Sequence, residues 1–112
     1  MPKPNTGFAA GLTELLVLRL LSQREMYGYE IARAARVATG EVFQLGEGVL
    51  YPLLHALEAQ RLLSSRRQRI DGRTRVYYAL TSKGGRRLAA LTDQWQRLAG
   101  AIGNTLTGNH HV

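Results

Sequence analysis

An Asp71-Gly72 dipeptide separates two runs that read as β-strands, Leu62–Arg69 and Arg73–Leu80. Asp-Gly between such runs favours a two-residue turn in which both residues take positive φ, so a tight hairpin is expected. In the second run Val76, Tyr78 and Leu80 alternate with Tyr77 and Ala79, the pattern of a half-buried strand. The rest of the chain reads as helix. A helical chain interrupted by one arginine-rich hairpin has few architectures open to it.

Three helices are predicted before the hairpin. Leu12–Ser22 carries Leu12, Leu15, Leu16, Val17, Leu18, Leu20 and Leu21 and is apolar nearly all round, so it is buried on most faces. In a chain of 112 residues that implies a second chain helping to cover it. Gln23–Met26 reads as a short polar turn. Tyr27–Thr39 places Tyr27, Ile31, Ala34, Ala35 and Ala38 on one face, and Gly40 is placed to cap its C-terminus. Glu41–Glu47 is a connector with Val42, Phe43 and Leu45 as expected core anchors. The third helix runs from about Glu47 to Gln60, with Leu50, Leu53, Leu54 and Leu57 on its inner face. Gly48, Tyr51, Pro52, His55 and Ala56 fall on its other faces. Pro52 is expected within the first turns, where a missing N–H costs least.

After the hairpin, Thr81 or Ser82 caps a last helix from about Lys83 to beyond Gly100. Gly100, Gly103 and Gly108 are expected to fray its far end. The element order gives a fold that is mainly α with a small β-hairpin: a winged helix-turn-helix over residues 10–82, with a C-terminal dimerisation helix over 83–106. Residues 1–9 are expected to be a flexible arm and 107–112 a flexible tail.

Charge is spread unevenly. The chain holds 15 Lys and Arg against 8 Asp and Glu, a net of +7. Residues 61–75 alone carry six arginines (Arg61, Arg66, Arg67, Arg69, Arg73 and Arg75) against Asp71. Such an excess points to a polyanionic partner, nucleic acid before anionic membrane. Thirteen of the fifteen basic residues are arginine, whose planar fork suits phosphate oxygens and guanine edges. In this fold the third helix lies in the major groove and the wing reaches flanking backbone or minor groove. Neighbouring strand residues alternate between faces, so two or three of Arg66, Arg67, Arg69, Arg73 and Arg75 are expected to reach DNA. Tyr27 and Tyr29 are either phosphate anchors near a helix N-terminus or core residues.

Along the last helix, Leu88, Leu91, Trp95, Leu98 and Ile102 are spaced 3, 4, 3 and 4, an a/d seam. With Leu12 and Leu16 of the first helix they form the expected homodimer interface. A two-fold dimer predicts a near-palindromic DNA site. Trp95 is either an anchor of that seam or, with Leu91, a stacking surface for a flat aromatic effector.

These segments together resemble the PadR-type transcriptional regulators, in the compact branch with a single C-terminal helix. The resemblance rests on Met26-Tyr27-Gly28-Tyr29-Glu30-Ile31, on Gly46 to Glu58, on Gly72 to Thr81, and on Lys83-Gly84. It covers roughly Leu12 to Leu106. It implies a homodimeric repressor that binds operator DNA and leaves it when an effector binds. It implies Tyr51 as a phosphate or base contact, where the alternative is packing. His55, one turn on, either reads a base edge or is an ordinary surface residue. Gly48 and Pro52 share that surface. Three residues depart from the family pattern: Val49 for a common Thr, Ala56 for a common basic residue, and Arg61 for a usual Gly.

Other classes are poorly supported. With no cysteine there are no disulfides, thiolate chemistry or cysteine-bound zinc. No Gly-rich phosphate loop, Ser-His-Asp set or carboxylate pair suggests an enzyme, and no cofactor is expected. A divalent metal effector held by His55, His110 or His111 with Glu30, Glu47 or Glu58 is a weaker alternative to the aromatic one. The apolar stretch Phe8–Leu21 contains Glu14 and Arg19 and is too short to span a bilayer. No membrane partner is expected, and a cytoplasmic location is. A sequence-independent architectural DNA-binding protein is the alternative function.

Overall fold

Asp71 and Gly72 take φ of 52° and 77°, the double positive-φ turn that the dipeptide predicts. In the computed structural model the described residues are 6–108, with side chains from residue 11 onward. The elements are α1 (Thr6–Leu21), β1 (Met26–Tyr27), α2 (Gly28–Ala38), α3 (Glu47–Ala59), β2 (Leu63–Ile70), β3 (Arg73–Leu80) and α4 (Ser82–Thr107). The hairpin strands pair antiparallel from Leu63↔Leu80 to Ile70↔Arg73. The fold is the expected one, mainly α with a small antiparallel sheet.

Three boundaries differ from expectation. First, α1 begins at Thr6 rather than Leu12, so residues 6–9 of the expected arm are helical. Ala9 and Ala10 are good helix formers, and extending an existing helix costs little. Residues 1–5 lie outside the described residues. Second, Met26 and Tyr27 form a third strand in the order β1-β3-β2, where a turn and a helix start were expected. They pair Met26↔Tyr78 and Tyr27↔Tyr77, because Met26 can bury its side chain beside Tyr78. Third, α4 runs unbroken through Gly100 and Gly103 to Thr107, and Gly108 closes it at φ 70°. The expected tail 107–112 thus begins with a helical residue, and 109–112 lie outside the described residues.

The core joins Val17, Leu18 and Leu21 of α1, Ile31 and Ala35 of α2, Leu50, Leu54 and Leu57 of α3, and Met26, Leu62, Leu63 and Tyr78 around the sheet. Val42 is not the expected anchor: it is 83% exposed. The connector is held instead by the Phe43 N–H, which donates to Thr39 Oγ1 at 2.9 Å, and by Leu45 packed on the core.

Both helices of the helix-turn-helix end in the same motif. At α2, Gly40 donates to Val37 O and Glu41 to Arg36 O, with Gly40 at φ 60°. At α3, Arg61 donates to Glu58 O and Leu62 to Leu57 O, with Arg61 at φ 64°. These are Schellman closures. Arg61 keeps the geometry of the usual glycine and bears the strain of a side chain in the left-handed region.

The end of α3 is bolted to the start of α4. Thr81 donates its N–H to Leu62 O at 3.1 Å. Its hydroxyl oxygen lies 2.7 Å from Arg61 O and 3.0 Å from Leu62 O, and accepts from Gly84 N at 3.0 Å as the α4 cap. Lys83 Nζ donates to Gln60 O at 2.9 Å, covering another free carbonyl of α3. A side chain at Gly84 would collide with the Leu62 carbonyl oxygen.

Two substitutions at this joint should act in opposite directions. Gly84→Ala should destabilise by about 1–3 kcal/mol, because backbone must move to admit the methyl. Arg61→Gly should stabilise by about 0.5–1 kcal/mol through relief of the left-handed strain, net of glycine's larger entropy loss. Urea titration of both variants measures each sign.

Candidate nucleic-acid interface

Gly48, Tyr51, Pro52 and His55 recur at helical spacing and all lie on the exposed side of α3, opposite buried Leu50, Leu54 and Leu57. No acidic residue falls within this stripe. Pro52 is the sixth residue of α3, within its first two turns as expected but past the first turn, whose N–H groups are free in any helix. It therefore takes a bond from the ladder: the Gly48 carbonyl loses the N–H four residues on. Val49 and Ala56 are exposed as well, so these departures from the family pattern alter surface chemistry rather than the core.

Tyr51 lies across the start of α2. A Cβ built on Gly28 would sit 2.5 Å from the Tyr51 hydroxyl and 2.8 Å from the ring carbon that carries it. The ring packs on Gly28 while its edge remains open to solvent. Its two expected roles, packing and contact, are compatible.

The register sorts the wing. Residues directly opposite on paired strands share a face. One face carries Leu63, Ser65, Arg67 and Arg69 against Leu80, Tyr78, Val76 and Thr74. This face turns toward α3, since Tyr78 is buried in the core and Ser65 Oγ donates to Glu58 Oε2 at 2.5 Å. Burial pushes the Tyr78 hydroxyl above its ordinary pKa, with Glu58 adding to the effect. The other face carries Arg66, Gln68 and Ile70 against Tyr77, Arg75 and Arg73.

Among the described residues of that second face Arg66 and Arg75 are occupied, while Arg73 beside the turn is not. Arg66 Nε donates to Glu25 Oε2 at 3.1 Å, and its Nη2 pairs with Glu25 Oε1. The hydrogen bonds from Arg66 hold the Glu25 carboxyl below its ordinary pKa. The Arg66 guanidinium lies 4.8 Å from the Tyr77 ring centre, and that of Arg75 lies 4.6 Å from the Tyr27 ring centre. Tyr27 meets Tyr77 edge-on at 5.5 Å and stacks on Tyr29 at 6.3 Å. Tyr27 is half-buried and Tyr29 is 67% exposed, so neither is a core residue. Arg69 Nη2 reaches the Gly72 carbonyl at 3.3 Å. Arg67 and Arg73 have no ion-pair partner among the described residues.

Sequence reasoning missed Glu25 and Gly28. Glu25 sits in a polar turn with nothing to mark its pairing across 41 residues. Gly28 lies between two tyrosines, where only the fold shows which ring crosses it.

The expected seam is partly covered. Leu88 and Leu91 pack against the core, and the Arg87–Glu14 pair at 2.9 Å clamps α4 to α1. Farther along, Trp95 is 38% exposed and Leu98 and Ile102 are each 48% exposed. A hollow of about 400 Å³ lies between α1 and α4, lined by Leu12, Leu15, Leu16, Arg19, Phe43 and Trp95 among others. A smaller one of about 190 Å³ brings Leu91, Trp95 and Leu98 together with Leu12. Among the described residues no three His, Asp or Glu cluster as metal ligands. His110 and His111 lie outside them. No helix among the described residues is long and apolar enough to cross a membrane.

A basic hairpin beside an exposed, acid-free helix stripe defines the class: a winged helix-turn-helix of the nucleic-acid-binding kind. Residues 17–90 match the transcriptional regulator PadR-like family, and the chain belongs to it. It is thus a transcriptional regulator; the family is not one of enzymes. The chain is 32% identical over 105 residues to the transcriptional regulator Rv3488 of Mycobacterium tuberculosis, covering 94% of this chain and 92% of that one. Among solved structures, smu.1704 from Streptococcus mutans superposes with a TM-score of 0.80 at 33% identity, covering 92% and 93% of the two chains. A PadR-like transcriptional regulator from Bacillus cereus does so with a TM-score of 0.74 at 29% identity, covering 86% and 92%.

Gly28→Ala tests the seat of Tyr51. The ring edge can swing aside, so stability should fall by less than about 1.5 kcal/mol. DNA affinity should fall by about tenfold or more as Tyr51 leaves the stripe. Thermal unfolding and fluorescence anisotropy on one duplex separate the two effects.

Proposed function

We propose that this regulator is a homodimeric repressor that binds a near-palindromic operator and is released by a small-molecule effector. The observation that carries the DNA-binding part is the common orientation of two surfaces. The α3 stripe of Gly48, Tyr51, Pro52 and His55 and the wing residues Arg67 and Arg69 lie on the same side of the sheet. The stripe enters the major groove and the wing arginines take flanking phosphates.

The homodimer is supported by the open seam. Trp95, Leu98 and Ile102 continue the line of Leu88 and Leu91 to where their own chain covers them only in part. The described part measures 63 × 30 × 29 Å, with a Cα radius of gyration of 16.1 Å. A compact domain of this length has a radius of about 13 Å. The excess reflects a helix extending beyond its own core, which a second copy related by a two-fold axis would cover along with Leu12 and Leu16. The effector reading is supported by Trp95, which lines both hollows and would give a flat aromatic molecule a surface to stack on.

Selection of bound sequences from a random duplex library at about 150 mM salt tests the function. One near-palindrome with half-sites about 10 bp apart is expected. Binding without an enriched sequence would make the protein architectural, and absence of binding would redirect attention to an acidic protein partner.

The seam has its own test. The double substitution Trp95→Ala and Leu98→Ala should weaken self-association at least about tenfold, read by sedimentation equilibrium. An unchanged dimer would remove the exposed half of α4 from the interface.

A further inference from the structure

Beyond the last β1 pairing, Tyr27↔Tyr77, the wing is a two-stranded ribbon with no third strand beside it. A ribbon of two strands is marginal by itself. If it is to deliver phosphate contacts at a fixed angle, something at its root must hold it. The root carries the Arg66↔Tyr77 pair, with Arg75 two residues outward from Tyr77 on the same face.

We propose that Arg66 and Arg75 are positioning residues of the wing rather than DNA contacts, acting through Glu25, Tyr27 and Tyr77. This rests on the DNA-binding reading above. It leaves Arg67, Arg69 and Arg73 as the phosphate contacts of the wing.

Four observations support the division. Arg66 is engaged along its whole fork: Glu25 takes Nε and Nη2, Gln68 Oε1 accepts from Nη1 at 2.7 Å, and the Tyr77 ring lies under the guanidinium. A phosphate would have to displace a carboxylate that already satisfies it, and the pair offers DNA no net charge. Arg75 lies over the ring of Tyr27, the residue that precedes α2 and also forms β1. Glu25 and Tyr27 belong to the body of the helix-turn-helix, so each arginine ties the ribbon to that body. Arg67 and Arg69, one residue out of phase, face the α3 side. Arg73 sits beside the turn, where the ribbon ends.

The charge arithmetic supplies a test with opposite signs. Near DNA, removing a negative charge should strengthen binding if electrostatics alone act. If Glu25 instead holds Arg66 and thereby the wing, Glu25→Gln should weaken binding. In the full-length protein, Glu25→Gln, Tyr27→Leu, Arg66→Ala and Arg75→Ala should each lower affinity by about three- to tenfold. The slope of log affinity against log salt should not change. Arg67→Ala and Arg69→Ala should each flatten that slope by about 0.9, the loss of one phosphate contact. Without DNA, amide exchange at Thr74 and Val76 should quicken at least about threefold in Glu25→Gln and Tyr27→Leu, while core amides such as Leu54 stay protected.

Equal or tighter DNA binding by Glu25→Gln overturns the proposal. So does a slope flattened by one contact in Arg66→Ala or Arg75→Ala. If the wild-type protein binds no DNA, the proposed function fails, and ribbon exchange judges the positioning role separately. Unchanged exchange would overturn it.

Discussion

The carbonyl of Leu62 is the point on which the rest of the molecule turns. It accepts from Thr81, faces the α4 cap, and lies where only a glycine at 84 can pass. Within a few residues of it α3 ends and β2 begins, and Thr81, which bonds to it, lies between the end of β3 and the start of α4. The helix that carries the candidate reading surface and the helix that carries the open seam therefore share one hydrogen-bonded joint. Their relative angle is set by backbone geometry, with little freedom left to side-chain repacking.

Composition alone suggests a uniform coat of positive charge, but the arginines divide by partner. Arg87 clamps α4 to α1 through Glu14. Arg61 serves as backbone, closing α3 in a conformation that its side chain opposes. Arg66 and Arg75 lie on aromatic rings at the wing root. Among the described residues no carboxylate pairs with Arg67 or Arg73. The flat guanidinium can stack, fork or stand free, and here neighbouring residues of one strand use different modes because alternation sends them to opposite faces.

How much of this was legible in the sequence depended on the range of each signal. The hairpin was legible because Asp71-Gly72 specifies its own turn. The inner and outer faces of α3 were legible because a leucine stripe fixes rotation. The seam of α4 was legible as spacing, though not the length over which it stays helical. Strand β1 was not, since two residues have no periodicity and Met26 earns its place through Tyr78, far along the chain. Val42 looked like an anchor by type alone and proved exposed. The close approaches at Gly28 and Gly84, and the Glu25–Arg66 pair, exist only once distant segments meet. The wing root, the least legible part of the candidate site, is built from such meetings.

The length of α4 adds a mechanical property. Its 26 residues rise about 39 Å at 1.5 Å per residue, anchored at one end by the Thr81 joint and by Arg87. It is a lever with its fulcrum beside the end of α3. A tilt of about 5° at the joint moves the far end by about 3 Å over that length. Read in the other direction, whatever grips the distal turns holds α3 to within a degree or two for each ångström of play. Angular precision at one end of the molecule would thereby be governed by whatever a partner contacts near Ile102, far from the surface whose orientation it would fix.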